Sequence, residues 1–257
     1  MLLEGGRMIE EALDAGVRVD EVFLQRNPEQ EREGEEDFLR RVRGEGDSRA
    51  TTSSARVTEV AARVLRKLSD LPSTRGVVAL APPPHRTLAS LSALLPSKKS
   101  SSSSSPLFLL LDDVQEPANV GAILRSGEAF GVAAALLTPG CAWPFSPRAL
   151  RASAGSAFRL PVAARVAAGE AVAWARRHGI ALAGAAAHGG TAPEALGGVR
   201  PLALVTGSEG HGISAEIAGS LDHRVTLRLA GRVESLNAAV AAGVLLHVLT
   251  RPPAPAR

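Results

Sequence analysis

Three short stretches hold the side chains whose types and spacing can do chemistry. The first, "QEPANVGAILRSGEAFG" at 115–131, sets Asn119 and Gly121 ahead of Arg125. Pro117 suits the first turn of a helix and Asn119 can cap it, while Gly121 and Arg125 are four apart and share a helix face. A bare glycine beneath a guanidinium leaves room for a substrate backbone or a phosphate beside a fork of donors. The second, "VTGSEGHGIS" at 205–214, carries Gly207, Gly210 and Gly212, which let the backbone come close to a ligand, with the Glu209 carboxylate among them. Its G-x-x-G-x-G spacing is neither the dinucleotide fingerprint nor a P-loop, which needs G-K-[ST]. His211 has no partner in the pattern and reads as a solvent-exposed loop residue. The third, "LAGRVESLNAAVAAG" at 229–243, flanks Leu236 with Ser235 and Asn237 where a helix begins. Either polar residue can cap that helix. The small residues behind them (Ala238, Ala239, Ala241, Ala242, Gly243) permit close packing by another helix or chain. Each stretch alone has a plain structural explanation.

The elements that must position these residues alternate. From Leu107 onward, "LFLLLDD" reads as a buried strand, 118–130 as a helix and "VAAALLTP" as a strand. "SPRALRASAG" reads as a helix with Ser146 as its cap and Pro147 first in the turn. "EAVAWARRHG" is a helix ending at Gly179, "IALAGAAA" and "PLALVTG" are strands, and "HRVTLRLAG" is a shorter extended piece. "SLNAAVAAGVLLHVLTR" closes the series as a long helix. Such alternation predicts a parallel sheet with helices on both faces, whose ligands sit where strands give way to helices. Before it, residues 1–25 read as helix then strand, and 26–54 as a charged loop or exposed helix. Residues 55–69 read as an amphipathic helix with Val57, Val60, Val64 and Leu65 on one side. "RGVVALAPPP" is a strand stopped by prolines. Between the two units, six consecutive serines, Ser100 to Ser105, predict a flexible linker or surface excursion.

Composition narrows the classes. The chain has 257 residues, 45% of them hydrophobic, enough for one large or two modest domains with a real core. Aromatics are 3% and tyrosine is absent, which disfavours binding nucleic acid by stacking bases on rings. A net charge of +3 and a pI near 9.7 weakly favour a polyanionic partner. The single cysteine, Cys141, excludes an intramolecular disulfide framework and a multi-cysteine zinc site. No apolar run approaches the roughly 20 residues of a membrane span. The acidic start "MLLEGGRMIEEALDAG" is not a secretory signal, so the expected location is cytoplasmic. A nicotinamide enzyme is excluded by the missing fingerprint and its acidic partner.

The combination and order of the three stretches go further than any one of them. Asn119-x-Gly121-x-x-x-Arg125, then Gly207-Ser-Glu209-Gly-x-Gly212-Ile213, then Glu234-Ser235-Leu236-Asn237 before an alanine-rich helix resemble the SpoU family. It is also called TrmH and comprises RNA ribose 2′-O-methyltransferases of the SPOUT class. "RASAGSAFRLPV" at 151–162 is similar to the family's inter-motif region, and the resemblance covers 107–250. "LLEGGRMIEEALDAG" and "STRGVVALA" resemble the small L30e-like RNA-binding module that precedes the catalytic domain in many members. The implied division is an L30e-like RNA substrate-binding domain at 1–82, a serine-rich linker at 83–106 and a methyltransferase domain at 107–257. The family's module usually begins slightly earlier, which makes Met1 an internal or misassigned start by this resemblance.

The resemblance implies an α/β fold, a parallel sheet with a deep C-terminal trefoil knot, a type of threading that is rare in proteins. It implies S-adenosylmethionine as cofactor, held against the backbone at Gly207, Leu227 and Leu236, with Gly212 and Ile213 in the same site. It implies a homodimer with the terminal helices in the interface, RNA as partner, no membrane and no metal. Arg125 would be the catalytic centre. A guanidinium stays protonated, so it would stabilise the developing 2′-alkoxide and grip the neighbouring phosphate. Asn119 would orient Arg125 or the ribose, Glu209 would hold Arg125 or Asn237, and Ser235 and Asn237 would complete the polar shell. Arg148 and Arg151 would grip RNA phosphates. The extra N-terminal module points to a guanosine of large-subunit ribosomal RNA. A tRNA ribose methylase and an inactive RNA-binding or assembly protein are the alternatives. One departure stands out: Arg228, within "LRL", occupies the place of the family's usual proline, in a backbone segment expected to touch the cofactor.

Overall fold

The computed structural model describes residues 1–25, 35–45, 55–69, 76–95, 106–233 and 235–251. Its first unit holds β1 (Leu2–Glu4), α1 (Gly6–Asp14), β2 (Glu21–Gln25), α2 (Glu35–Arg43), β3 (Arg56–Val60), α3 (Ala62–Leu68) and β4 (Val77–Leu80). The four strands form one sheet in the order β1-β4-β2-β3, with β4 antiparallel to β1 and β2, and β3 parallel to β2. Residues 55–69 are therefore not one helix. The β-branched run Val57, Thr58, Val60 pairs with Val22, Phe23 and Gln25 of β2, where branched side chains pack well on a pleated surface. Helix starts only at Ala62, and it buries Leu65 while Val64 stays exposed.

The second unit begins with α4 (Leu88–Ser92) and continues through β5 (Leu107–Leu111), α5 (Pro117–Ala129), β6 (Ala134–Leu137), α6 (Pro147–Ser153), α7 (Ser156–Arg159) and β7 (Val162–Ala163). It then runs through α8 (Ala168–Arg177), β8 (Ala181–Ala185), a 3-10 turn at Pro193–Leu196, β9 (Leu202–Thr206), α9 (Ala215–Ala218), β10 (His223–Val225) and α10 (Ala238–Thr250). Six strands form a wholly parallel sheet in the order β10-β8-β9-β5-β6-β7. All five residues of β5 and of β9 are buried, as central parallel strands require. Alternation sends Leu107, Leu109 and Leu111 into the core with Leu245, Leu246 and Leu249 of α10. Phe108 and Leu110 go to the opposite core with Trp174 of α8, where Phe108 and Trp174 meet edge to face at 5.3 Å. Among the described residues no helix is long and apolar enough to cross a membrane.

The expected linker at 83–106 carries structure through Leu95. His85 bridges to Val162, Arg86 N donates to Val162 O at 2.8 Å, and Leu91 of α4 is fully buried in the second core. The apolar spacing of "TLASLSALL" drives this, with Thr87 capping the helix in a capping box. The serine tract lies outside the described residues.

The two units share one core cluster, which runs from Leu3 and Ile9 through Leu150 to α10. Their junction is also tied by charge. Arg151 pairs at 2.6 Å with Glu4, whose side chain is 2% exposed. Arg159 donates to Glu11 at 2.7 Å and reaches Glu128 of α5 through two of its nitrogens.

Candidate active site

The site grows from the two central strands. β5 carries its chain into α5 toward β6, whereas β9 carries its chain into α9 toward β10. The connections diverge there, and such a switch point leaves a crevice at the strands' carboxyl ends.

α5 starts at Pro117, whose missing N–H is harmless in a first turn. Its cap is Glu116, which accepts from Ala118 N at 3.3 Å and pairs with Arg148 at 3.0 Å. Asn119 is therefore not the cap but sits inside the first turn, with its side chain free for other work. Gly121 also differs from expectation. A Cβ there would lie 2.2 Å from Ala149 O and 2.7 Å from Ala152 Cβ, so the glycine admits α6 and makes no room for substrate.

The glycine loop after β9 folds back on itself. Ser208 N and Gly212 O bond at 3.0 Å, and Gly212 N and Ser208 O at 2.9 Å. Gly212 takes a left-handed φ of 68°, which glycine adopts without strain. A Cβ on Gly207 would meet Gly212 C at 2.2 Å. His211 is exposed, and its N–H donates to Ser208 Oγ at 3.0 Å.

Asn237, not Ser235, caps α10, accepting from Ala239 N at 3.0 Å and Val240 N at 3.3 Å. Those backbone donors fix its amide, so Nδ2 faces outward and donates to Asn119 Oδ1 at 3.1 Å. Asn119 Nδ2 in turn donates to Glu209 Oε1. One directional chain of hydrogen bonds thus joins all three stretches, from the α10 N-terminus to a carboxylate. Bonds aligned in this way polarise one another.

Beside this chain lies a cavity of about 440 Å³, a size that suits a small-molecule ligand. Its walls include Ala185 at the end of β8 with Ala186 and Ala187 beyond it, Thr206, Gly207 and Gly212, Leu227 and Leu229 after β10, and Ser235, Leu236 and Leu245. The walls are chiefly apolar, with backbone polar groups and one buried hydroxyl: Thr206 Oγ1 has no hydrogen-bond partner among the described residues. Glycines that admit backbone, leucines for ring faces and an orphan hydroxyl together suit a nucleoside-like ligand.

Among the expected cofactor residues, Gly207, Gly212, Leu227 and Leu236 line the cavity. Ile213 does not. Its side chain packs with Leu221 beneath Gly184, in the core on the other face of the sheet. Ser235, Asn237 and Glu209 line the cavity, while Asn119 reaches it through its two bonds.

Arg125 lies six residues beyond Asn119, about 9 Å along the helix and about 120° around it. Asn119 and Glu209 therefore hold each other and Asn237, not Arg125. Arg125 is exposed and has no hydrogen bond or ion pair among the described residues. Arg148 is mostly exposed beside Glu116. Arg151 is engaged with buried Glu4, which makes it a junction residue in place of a free phosphate grip. Arg228 is exposed, between the wall residues Leu227 and Leu229, so its side chain points away from the cavity. Glu234 lies outside the described residues. No group of three His, Cys, Asp or Glu side chains gathers as a metal site among the described residues.

Two contributors escaped the sequence reading. Asp112, 3% exposed, accepts from Ser214 N at 2.7 Å and from Thr138 Oγ1 at 3.3 Å, which pins the end of the glycine loop to β5. Its signal was an acid doublet closing an apolar strand. Thr206 is the other, a lone hydroxyl ending "LALV".

Comparison with known proteins converges on one family. Residues 106–247 match the model of the SpoU rRNA Methylase family, and residues 1–79 match an MRM3-like substrate binding domain. An uncharacterized tRNA/rRNA methyltransferase of Mycolicibacterium paratuberculosis is 35% identical over 213 residues, 80% of this chain and 66% of that protein. One from Mycobacterium marinum is 41% identical over 146 residues, 56% of this chain and 47% of that protein. The chain thus spans less than two thirds of the length of these curated relatives. The SpoU methyltransferase AviRb from Streptomyces viridochromogenes, solved in complex with the cofactor AdoMet, is 26% identical with a TM-score of 0.78. That match covers 97% of this chain and 89% of AviRb. With more than half its length matched by one family model, the chain belongs to the SpoU rRNA methylase family.

Proposed function

We propose that the protein transfers a methyl group from S-adenosylmethionine to a ribose 2′-hydroxyl of RNA, a guanosine of large-subunit ribosomal RNA being the favoured target. The observation that carries the reading is the convergence of three family motifs on one nucleoside-sized cavity through the bonds Asn237–Asn119–Glu209. The presence of AdoMet in AviRb supports the cofactor. The match of residues 1–79 to a substrate binding domain supports a structured RNA target.

Bound S-adenosylmethionine supplies an already activated methyl group, so the chain's task is to bind, align and stabilise. Gly207, Leu227 and Leu236 hold the adenosine by backbone contact and by their apolar faces. The Asn237–Asn119–Glu209 chain fixes the relative placement of the three loops that form the rim. Arg125, free of partners within the described residues, offers its donor fork to the phosphate and to the 2′-oxygen as charge develops. Because the guanidinium remains protonated, the hydroxyl proton leaves to the adjacent phosphate or to water.

The reading extends to architecture. The C-terminal segment leaves β10 at the edge of the sheet, lines the cavity with Leu227, Leu229 and Ser235 to Asn237, and returns to pack α10 on α5 and β9, a route that suits a trefoil knot. Ala122, Ser126, Phe130, Val240, Val244 and His247 line an open groove between α5 and α10. Val240 is 53% and Val244 41% exposed, a face suited to a second copy of the chain and hence to a homodimer. The first unit would then act as the L30e-like RNA-binding module, and the cytoplasm, where ribosomal RNA is modified, would be its place of work.

The test is transfer of labelled methyl from S-adenosylmethionine to unmodified large-subunit ribosomal RNA and, separately, to tRNA. Label confined to one ribosomal nucleotide is expected. Label in tRNA alone would change the substrate. The absence of both label and cofactor binding would favour an RNA-binding role without catalysis.

A further inference from the structure

The chain has two tryptophans, and the fold uses them differently. Trp174 is 4% exposed within the second core. Trp143, in the loop after β6, is only partly buried. The buried Phe145 meets its ring edge-on at 5.4 Å, and the exposed His85 ring lies 6.1 Å away. The guanidinium carbon of Arg165 stands over the indole, 5.5 Å from its centroid. That is within the roughly 6 Å over which a ring face attracts a cation.

Arg165 is exposed and holds a left-handed φ of 60°, a conformation uncommon in residues other than glycine and one that clusters at functional sites. Among the described residues its guanidinium makes no hydrogen bond or ion pair, and neither does that of the exposed Arg86. The acids at the end of β5 and the start of α5 are already engaged. Asp112 accepts from Ser214 N and Thr138, Asp113 from Gln115, and Glu116 pairs with Arg148. The charge left unpaired beside Trp143 is therefore positive.

The place of this cluster gives it a use. His85 arrives from β4 through three prolines, bridges to Val162 of β7 and lies with Nε2 3.2 Å from Ala164 N. Trp143 and Arg165 follow β6 and β7 of a wholly parallel sheet, so they share its carboxyl edge with the cavity. β7 and β9 are three strand spacings apart, about 14 Å, and the start of α5 with Asn119 follows the strand between β9 and β6. Unpaired RNA bases stack on arginine planes and aromatic rings, whereas bases inside a duplex are not available to do so.

We propose that Arg165, held over Trp143, is a stacking platform for an unpaired base of RNA near the nucleotide at the cavity rim. The scarcity of aromatic residues is no obstacle, because the guanidinium supplies the outer face and one indole holds it. The assignment rests on the methyltransferase reading above for the role of that RNA as substrate.

The test measures binding of labelled single-stranded oligoadenylate, and of the same strand annealed to oligouridylate, by fluorescence anisotropy. It compares the wild-type full chain with Arg165→Gly and Arg165→Lys, and follows melting and S-adenosylmethionine binding in each. Glycine takes a left-handed φ without strain, so Arg165→Gly should melt at or above the wild-type temperature. It should bind the single strand about tenfold more weakly. Arg165→Lys keeps the charge and loses the planar face. It should lose about fivefold on the single strand and stay within about twofold of wild type on the duplex. Wild-type affinity of Arg165→Lys for the single strand would mark a plain phosphate grip and overturn the assignment. Unchanged single-strand binding by Arg165→Gly would overturn it too, as would a lower melting temperature of that variant, which would mark the arginine as structural. S-adenosylmethionine should bind all three chains alike. Failure of the wild type to bind it would remove the methyltransferase reading, while a single-strand preference that depends on Arg165 would still uphold the platform.

Discussion

Asn237 donates to Asn119 across 3.1 Å, although 118 residues separate them in the chain. The bond spans from the cap of the last helix to the first turn of α5. Its direction is set by the backbone N–H groups of Ala239 and Val240, which leave Asn237 only its amide nitrogen to offer. Direction therefore matters as much as shape. Asn119→Asp keeps the size but removes the donor to Glu209 and sets two carboxylates against each other. It is expected to lower methyl transfer more than Asn119→Ala does, with losses of about tenfold or greater. Asn119→Ala should spare the fold, as followed by circular dichroism melting. Equal activity of Asn119→Asp and wild type would refute the relay.

Gly121 makes a stability prediction independent of chemistry. The backbone of α6 occupies the space that a Cβ would need, with Ala149 O at 2.2 Å. Gly121→Ala must push α5 and α6 apart, and overpacking of this kind costs about 1–3 kcal/mol. Urea denaturation would report it. A more stable Gly121→Ala, as helix propensity alone would give, would contradict the packing.

Arg151 and Arg148 lie three apart on α6 and should behave differently. Arg151→Ala removes the guanidinium from the carboxylate of Glu4, which is almost wholly buried and also accepts from Ser69 Oγ at 2.7 Å. The expected loss is about 2 kcal/mol, below the range for a pair buried on both sides. Arg148 bridges Glu116 in solvent, so Arg148→Ala should change stability by about 0.5 kcal/mol or less. If Arg148 grips RNA, that variant should instead weaken RNA binding and lessen its salt dependence, measured by filter binding across a salt series.

The pair that joins α5 to α7 predicts a pH dependence. Glu128 is held below the ordinary glutamate value of 4.5, chiefly by its hydrogen bond from Arg159, against the opposing effect of burial and with help from Ser156. A carboxyl lowered in the folded state stabilises it fully above the unfolded value and loses that contribution as pH falls through the folded one. Denaturation midpoints should therefore fall more steeply below about pH 4.5 in wild type than in Glu128→Gln. Parallel curves would show that the pairing of Glu128 with Arg159 contributes nothing to stability.

Much of this arrangement was legible because it is written locally. The strand at 107–111, the Pro117 helix start, Ser146 with Pro147 and the glycine loop are patterns within a few residues. What escaped depends on partners distant in the chain. β3 resembles a helix in sequence because Val57, Val60 and Val64 also satisfy helical spacing, and only pairing with β2 decides between them. Gly121 suggests space for substrate because nothing in the sequence of α5 shows that α6 lies against it. Arg151 reads as a grip for RNA phosphate in the sequence because Glu4 lies 147 residues away. Ile213 was placed at the cofactor by its position in a motif, yet the turn at Gly212 sends its side chain through to the other core.

The most direct measurement maps labelled methyl on ribosomal RNA by resistance of the modified linkage to alkali, with wild type beside Arg125→Ala. Arg125 has no partner to lose within the described residues, so the variant should melt with wild type and bind S-adenosylmethionine equally well. Its transfer rate should drop by about 10²–10³, the range for removing one donor to a developing oxyanion. Alkali-resistant label in one nucleotide, lost in that variant alone, is the predicted result. Label that alkali releases as an ordinary nucleotide methylated on its base, or full transfer by Arg125→Ala, would contradict the account.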